Sequence, residues 1–71
     1  MAEGTITTLN RERGYGFIIA DGGSGELYFD RQAVAGTPFD ALGMGQRVTF
    51  TTVPDPLKPE RLRAAEVRSA G

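Results

Sequence analysis

Glycine and proline interrupt this chain so often that no segment keeps a helical period. Ten glycines and four prolines occur among its 71 residues, and short runs of β-branched and aromatic residues lie between them. Such runs, bounded by turn residues, are typical of an all-β domain. We predict five strands, at residues 4–10, 15–20, 26–30, 46–53 and 61–68.

The connections between these strands differ in length and stiffness. Residues 21–25 form a glycine-rich turn, because glycine adopts positive φ angles at little cost. The longer connection, residues 31–45, allows one short helical turn at residues 31–34. Residues 54–59 contain three prolines, which cannot donate the hydrogen bonds of a β-ladder, so we expect a loop there.

The length of the chain fits a single domain, residues 1–71, with a small core. A domain of this size buries only roughly 60% of the surface that its unfolded chain exposes. The sequence contains neither Cys nor His, which excludes disulfides, thiol nucleophiles, a histidine general base and the usual zinc ligands. We therefore predict no catalytic residues, no cofactor and no metal site, in a protein that is not an enzyme.

Two features of the sequence bear on where the protein acts. Its first residues include neither a basic segment nor an apolar one, so we expect no signal peptide. No apolar run approaches the ~18 residues that a membrane-spanning helix needs. We expect the protein to be cytoplasmic and to bind neither membranes nor a small-molecule substrate.

The formal net charge of −1 and the isoelectric point of about 5.2 argue against tight binding of duplex DNA. Such binding depends on many Lys and Arg side chains that neutralise phosphates. The charge does not exclude binding of single strands, for which stacking of bases on aromatic rings matters more.

Alternation along each predicted strand assigns its side chains to two faces. Eight apolar residues take inner positions and form the predicted core: Ile6, Ile18, Leu27, Phe29, Val48, Phe50, Leu62 and Val67. In two of the strands, strict alternation would place two core candidates on opposite faces. These pairs are Ile6 with Leu9 and Leu62 with Val67. The register must therefore slip within the first strand, and near Ala64 and Ala65 in the fifth.

The second strand alternates glycine with aromatic residues. If Gly16 and Ile18 point inward, then Tyr15 and Phe17 point outward together, and Tyr28 on the third strand lies across from them. The opposite arrangement, with the rings in the core, is common in proteins. Here the other apolar residues already supply a core, and glycines between rings pack a core poorly. We therefore predict that the three rings lie on the surface.

Three outward rings on neighbouring strands form a surface on which nucleobases stack, at roughly 1–3 kcal/mol per base. We expect Gly14 and Gly16 to keep the adjacent surface bare, so that a base approaches the backbone. Phe39, in the long connection, is expected to close one end of this surface. Three basic residues at the rim meet phosphates or bases, or are merely solvated: Arg11, Arg13 and Arg31.

Two segments resemble the ribonucleoprotein motifs of the cold-shock domain family. Residues 13–18, Arg-Gly-Tyr-Gly-Phe-Ile, resemble the first motif, Lys-Gly-Phe-Gly-Phe-Ile. Residues 27–30, Leu-Tyr-Phe-Asp, lie where the family has Val-Phe-Val-His. The similarity spans residues 4–50 and resumes weakly at 64–67. It implies an all-β, five-stranded antiparallel OB-fold barrel that binds single-stranded RNA or DNA as an RNA chaperone, through Tyr15, Phe17, Tyr28 and Phe39.

The chain departs from the family at positions that carry binding. Thr7, Thr8 and Leu9 stand where the family has Lys-Trp-Phe, so a cation and a stacking ring are absent. Asp30 replaces the family His and brings a negative charge to the binding face, which Arg31 partly offsets. We therefore expect binding weaker than is usual in the family, with one or two base subsites lost.

The sequence leaves two alternatives open. An exposed aromatic surface also suits a protein partner, and Asp30 and the negative net charge weaken the case for nucleic-acid binding. The first alternative is therefore a protein-interaction module on the same OB-fold scaffold, with little nucleic-acid binding. We expect a monomer, but the long connections permit a domain-swapped dimer.

Overall fold

Five strands and two short 3₁₀ turns make up the computed structural model of the protein, which describes residues 2–23, 25–36 and 38–70. The strands are β1 (Ala2–Asn10), β2 (Tyr15–Ala20), β3 (Glu26–Asp30), β4 (Arg47–Pro54) and β5 (Leu62–Ser69). The 3₁₀ turns are Arg31–Ala33 and Phe39–Ala41. Each predicted strand and the predicted helical turn are confirmed, to within two residues at either end. Within the described part of the chain, no helix is long and apolar enough to cross a membrane.

Two of the predicted connections include residues outside the described part of the chain. These are Ser24, in the glycine-rich turn, and Thr37, in the long connection.

The proline-rich segment differs from its prediction at one end, because Pro54 is the last residue of β4 and pairs with Leu62. The loop proper is a closed hairpin connection, in which the Asp55 N–H donates to the Arg61 carbonyl at 2.9 Å. The Asp55 carboxylate accepts a hydrogen bond from the Leu57 N–H at 2.8 Å. This turn projects Leu57 into solvent, where it is 91% exposed.

The strands close into a barrel in the order β1-β2-β3-β5-β4, which confirms the predicted fold class. In the described residues, four neighbouring pairs are antiparallel, and β3 with β5 is parallel. This parallel contact consists of the single residue pair Tyr28 and Arg63, with a further bridge between Val34 and Val67. Side-chain contacts therefore matter for closing the barrel at this seam.

Two irregularities allow β1 and β5 to face the core along their length. In β1 the register shifts between Ile6 and Thr8, so that Ile6 is buried and Leu9 packs against the core. In β5 the extra residue is Glu66, which has a φ angle of 51° where the pairing with β4 shifts. Both predicted slips are confirmed, and the one in β5 lies just beyond Ala65.

The described part of the chain buries nine apolar residues in the barrel interior: Ile6, Ile18, Phe29, Phe39, Leu42, Val48, Phe50, Ala64 and Val67. Six of the eight predicted core residues are among these nine, and Leu27 packs against them. The predicted burial of Leu62 is wrong, since this residue is 55% exposed. It pairs with Pro54 at the end of both strands, and Ala64 takes the inner position instead.

An ion cluster joins β4 to β1 and to the β2–β3 turn. Arg47 donates hydrogen bonds to both carboxylate oxygens of Asp21 and reaches the Glu3 carboxylate at 3.4 Å. The hydrogen bonds from Arg47, together with its positive charge, hold the pKa of Asp21 below its ordinary value of 3.8. A carboxylate whose pKa is lowered by folding stabilises the folded state above that ordinary value.

The Asp21→Asn variant is expected to be less stable than the wild type at neutral pH. The difference should shrink as pH falls through the pKa that Asp21 has in the folded protein, because the wild-type carboxylate then loses its charge. Urea unfolding of both proteins, from neutral pH to about pH 2, measures the free energies of unfolding. A difference that stays constant over this range would contradict the assignment.

Candidate nucleic-acid interface

Three aromatic rings lie together on the outer face of β2 and β3. Phe17 and Tyr28 are cross-strand partners, and their ring centroids lie 5.9 Å apart at an interplanar angle of 72°. The Tyr15 ring lies 5.9 Å from that of Tyr28 at 23°, and 6.0 Å from that of Phe17. All three residues are partly exposed. We call Tyr15, Phe17 and Tyr28 the aromatic platform, and the predicted outward direction of its rings is confirmed.

The alternate residues of β2, Gly16 and Ile18, point into the barrel as predicted. A Cβ atom at Gly16 would lie 2.6 Å from the carbonyl oxygen of Thr8 and 2.9 Å from the ring of Phe29. The absence of a side chain therefore makes room for the core. The expectation that Gly16 opens the outer surface to a base is wrong.

Gly14 likewise serves contacts within the protein. Its φ angle is +77°, a conformation that residues with side chains rarely adopt, and a Cβ atom there would lie 3.0 Å from Nε of Arg31. The Gly14 carbonyl also accepts a hydrogen bond from the Arg31 N–H at 2.8 Å. Arg31 therefore covers Gly14, and the expectation that this glycine leaves the backbone bare for a base is wrong.

The three arginines predicted at the rim make different contacts. Nη2 of Arg11 donates to the carbonyl of Leu42 at 2.6 Å, and Nη2 of Arg31 donates to the carbonyl of Arg11 at 3.0 Å. Arg13 is exposed, and its backbone N–H donates to the side chain of Asn10 at 3.0 Å. Arg11 and Arg31 thus hold the connections next to β2, whereas Arg13 presents its side chain to solvent.

The expectation that Phe39 closes one end of the platform is wrong. This residue is 4% exposed, and its ring centroid lies 6.0 Å from that of Phe29 inside the barrel. The guanidinium of Arg31 lies 5.4 Å from the Phe39 ring centroid, and its Nη2 lies 3.9 Å from the carboxylate of Asp40. A small core gains about 2–3 kcal/mol from burying an aromatic ring, which favours the inward position.

Asp30 is held by two partners. One carboxylate oxygen accepts a hydrogen bond from the Ala33 N–H at 3.1 Å, and the other lies 2.7 Å from Nη2 of Arg63. Its charge is therefore offset by Arg63, and not by Arg31 as expected. The Arg63 guanidinium also lies 5.1 Å from the ring centroid of Tyr28. Sequence reasoning missed Arg63 as a site residue, and alternation along β5 offered one signal, its outward direction.

The surface next to Phe17 is polar. Thr8 is exposed and is the cross-strand partner of Phe17. The Thr7 hydroxyl donates a hydrogen bond to the carboxylate of Glu26 at 2.7 Å. Thr7 and Thr8, at the positions where the family has a lysine and a tryptophan, therefore present two hydroxyls, and the carboxylate of Glu26 lies beside them.

Comparison with known proteins bears on the family to which the chain belongs. The model of the family described as "'Cold-shock' DNA-binding domain" matches residues 2–70. The "Major cold shock protein" of Micrococcus luteus is 37% identical over 67 residues, which cover 94% of this chain and 96% of that protein. The "Cold shock-like protein CspA" of Stigmatella aurantiaca is 36% identical over 69 residues, which cover 97% of each chain.

A solved structure, "drosophila Unr CSD456", shares the fold with a TM-score of 0.77 and 22% sequence identity. The match covers 99% of this chain and 26% of that one. The predicted family resemblance is thereby confirmed, because the family model and the relatives both span nearly the whole sequence. This chain belongs to the cold-shock domain family.

Proposed function

We propose that the aromatic platform binds single strands of RNA or DNA by base stacking, in an RNA-chaperone-like role without catalysis. The main observation behind this proposal is the set of three outward rings, whose centroids all lie within 6.0 Å of one another. Every nucleobase has a π-face, so such a surface accepts bases with little sequence demand. Membership of a family described as a DNA-binding domain supports this function.

Stacking contributes most of the affinity in this proposal, because the chain has a net charge of −1. Arg13 is exposed and contacts a phosphate in this proposal, while Arg11 and Arg31 act indirectly by holding the connections around β2. Asp30 repels phosphate less than an unpaired carboxylate would, since Arg63 lies 2.7 Å from it. This pairing also weakens the case for a protein-interaction module, because the charge of Asp30 was one reason to doubt nucleic-acid binding.

Tyrosine fluorescence gives a direct test of the platform. The chain has two tyrosines and no tryptophan, so the intrinsic signal comes from Tyr15 and Tyr28 alone. We expect heptathymidine and a mixed-sequence RNA to quench this fluorescence with a saturable curve, because a stacked base contacts the emitting rings. A DNA duplex of equal length should produce far less quenching. The proposal fails if neither single strand gives saturable quenching.

Weak binding relative to the family follows from the polar surface at Thr7 and Thr8. We expect Thr8→Trp to tighten heptathymidine binding about tenfold, because it adds one stacking ring next to Phe17. The matched control is Ser69→Trp, which adds an exposed ring at the end of β5 far from Arg63 and should leave the affinity unchanged. An equal gain from both variants, or none from Thr8→Trp, would argue against a lost subsite. Labelled-oligonucleotide anisotropy measures both affinities.

A further inference from the structure

The turn between β2 and β3 contains an Asp-Gly pair that is open to solvent. Asp21 and Gly22 are both exposed, and a Cβ atom at Gly22 would have no atom of the described chain within 4 Å apart from its two chain neighbours. Among the described residues, the N–H of Gly22 donates to no backbone carbonyl. The amide nitrogen of Gly22 is therefore accessible beside an aspartate side chain.

This pair of residues has the chemistry of a spontaneous rearrangement. When the amide nitrogen of Gly22 attacks Cγ of Asp21, a five-membered succinimide forms, and the carboxyl OH leaves with the amide proton as water. Water then opens the ring at either carbonyl. Opening at the α-carbonyl leaves the peptide bond on Cγ and gives isoaspartate, which has the same mass and one more backbone carbon. Glycine favours ring closure, because it has no side chain to obstruct the approach.

Arg47 opposes this rearrangement in two ways. It donates a hydrogen bond to each carboxylate oxygen of Asp21, one of them at 2.7 Å, and so keeps the carboxylate from turning toward Gly22. Ring closure also needs a protonated carboxyl, and the hydrogen bonds from Arg47 keep the pKa of Asp21 below its ordinary value of 3.8. Both side chains are about half exposed, so the restraint is partial.

We infer that Asp21 and Gly22 form a site of spontaneous isoaspartate formation, and that the ion pair with Arg47 slows the reaction there. The extra backbone carbon of the product lengthens the turn that joins the two strands of the aromatic platform. The free carboxylate of the product lies on Cα, so its bidentate contact with Arg47 is lost, and with it a link between β4 and that turn. The inference is independent of the proposed function, because no nucleic acid takes part in the reaction.

Peptide mapping measures isoaspartate at residue 21, because the normal and rearranged peptides differ in retention and in their backbone fragments. The wild type, Arg47→Gln and Arg68→Gln are incubated for several weeks at neutral pH. Arg68→Gln is the matched control, since Arg68 is an exposed arginine whose guanidinium lies near Gly36, outside the ion cluster. We expect Arg47→Gln to accelerate the reaction about threefold to fivefold, the upper range for an exposed ion pair. The rate in Arg68→Gln should match that of the wild type.

A second comparison separates the ion pair from a general loss of stability. Ile18→Val removes one methylene group from the fully buried core and leaves the ion pair intact, so it destabilises the fold modestly without accelerating the reaction. Equal acceleration by Ile18→Val and Arg47→Gln, or none by Arg47→Gln, would contradict the role of Arg47. Wild type unfolded in guanidinium chloride supplies the unrestrained rate. If residue 21 forms no isoaspartate in any folded variant while the unfolded chain accumulates it, the site itself is wrong.

Discussion

Replacing both Phe17 and Tyr28 with alanine is expected to weaken heptathymidine binding by about 100-fold or more, since two stacking surfaces are lost. Both rings lie on the outer face of the barrel and are only partly buried. Their mutual contact, at 5.9 Å between centroids, contributes modestly to the fold. Aromatic pairs of this kind are worth about 1 kcal/mol, so the double variant should fold with reduced stability. Anisotropy of a labelled strand measures the affinity.

A matched control removes exposed apolar surface elsewhere. Met44 is 71% exposed in the long connection, and Met44→Ala should leave both affinity and stability near wild type. Amide spectra of the double variant test whether the barrel is intact. A folded double variant that binds heptathymidine as tightly as the wild type would exclude the platform as the binding surface. Strong retention of a protein partner by the wild type after nuclease treatment would then favour the protein-interaction module.

Gly16→Ala is expected to destabilise the fold by about 3 kcal/mol, at the upper end of the range for overpacked cores. The added Cβ would lie 2.6 Å from the Thr8 carbonyl oxygen and 2.9 Å from the Phe29 ring. Neither group yields easily, because the first is strand backbone and the second is a fully buried ring. Such a loss is a large share of the roughly 5–15 kcal/mol by which whole domains are typically stable. Urea unfolding provides the measurement.

Gly43→Ala is the control for this substitution, because a Cβ atom at Gly43 would have no atom of the described chain within 4 Å apart from its two chain neighbours. Its free energy of unfolding should stay within about 0.5 kcal/mol of wild type. The pair also tests why Gly16 is glycine. If Gly16 serves close approach of a base, then Gly16→Ala should weaken binding and leave stability unchanged, contrary to the packing explanation.

The strands and the direction of the platform rings follow from local patterns. Tyr15, Phe17 and Tyr28 point outward because side chains alternate along a strand, and a residue's parity is visible in the sequence. The inward residues Gly16 and Ile18 obey the same rule. The turns are also readable, since glycine and proline mark positions where a ladder cannot continue. The predicted strands therefore differ from the observed ones by two residues or fewer at each end.

These local patterns do not predict contacts between segments that are distant in the sequence. Phe39 lies in a connection whose apolar residues follow neither the spacing of a strand nor that of a helix. Its burial depends on the barrel interior that Phe29 helps to form. Leu62 has the parity of a core residue but lies where β4 and β5 run past the core.

The sequence alone determined the five strands and the outward aromatic residues, because both depend on neighbours one or two positions away. The tertiary structure decided which charges are paired and which rings are covered. Asp30 and Arg63 are 33 positions apart in the sequence, and their side chains form an ion pair at the parallel seam where the barrel closes. Strand pairing in three dimensions fixes such a contact, because no local pattern brings together two residues so far apart in the sequence.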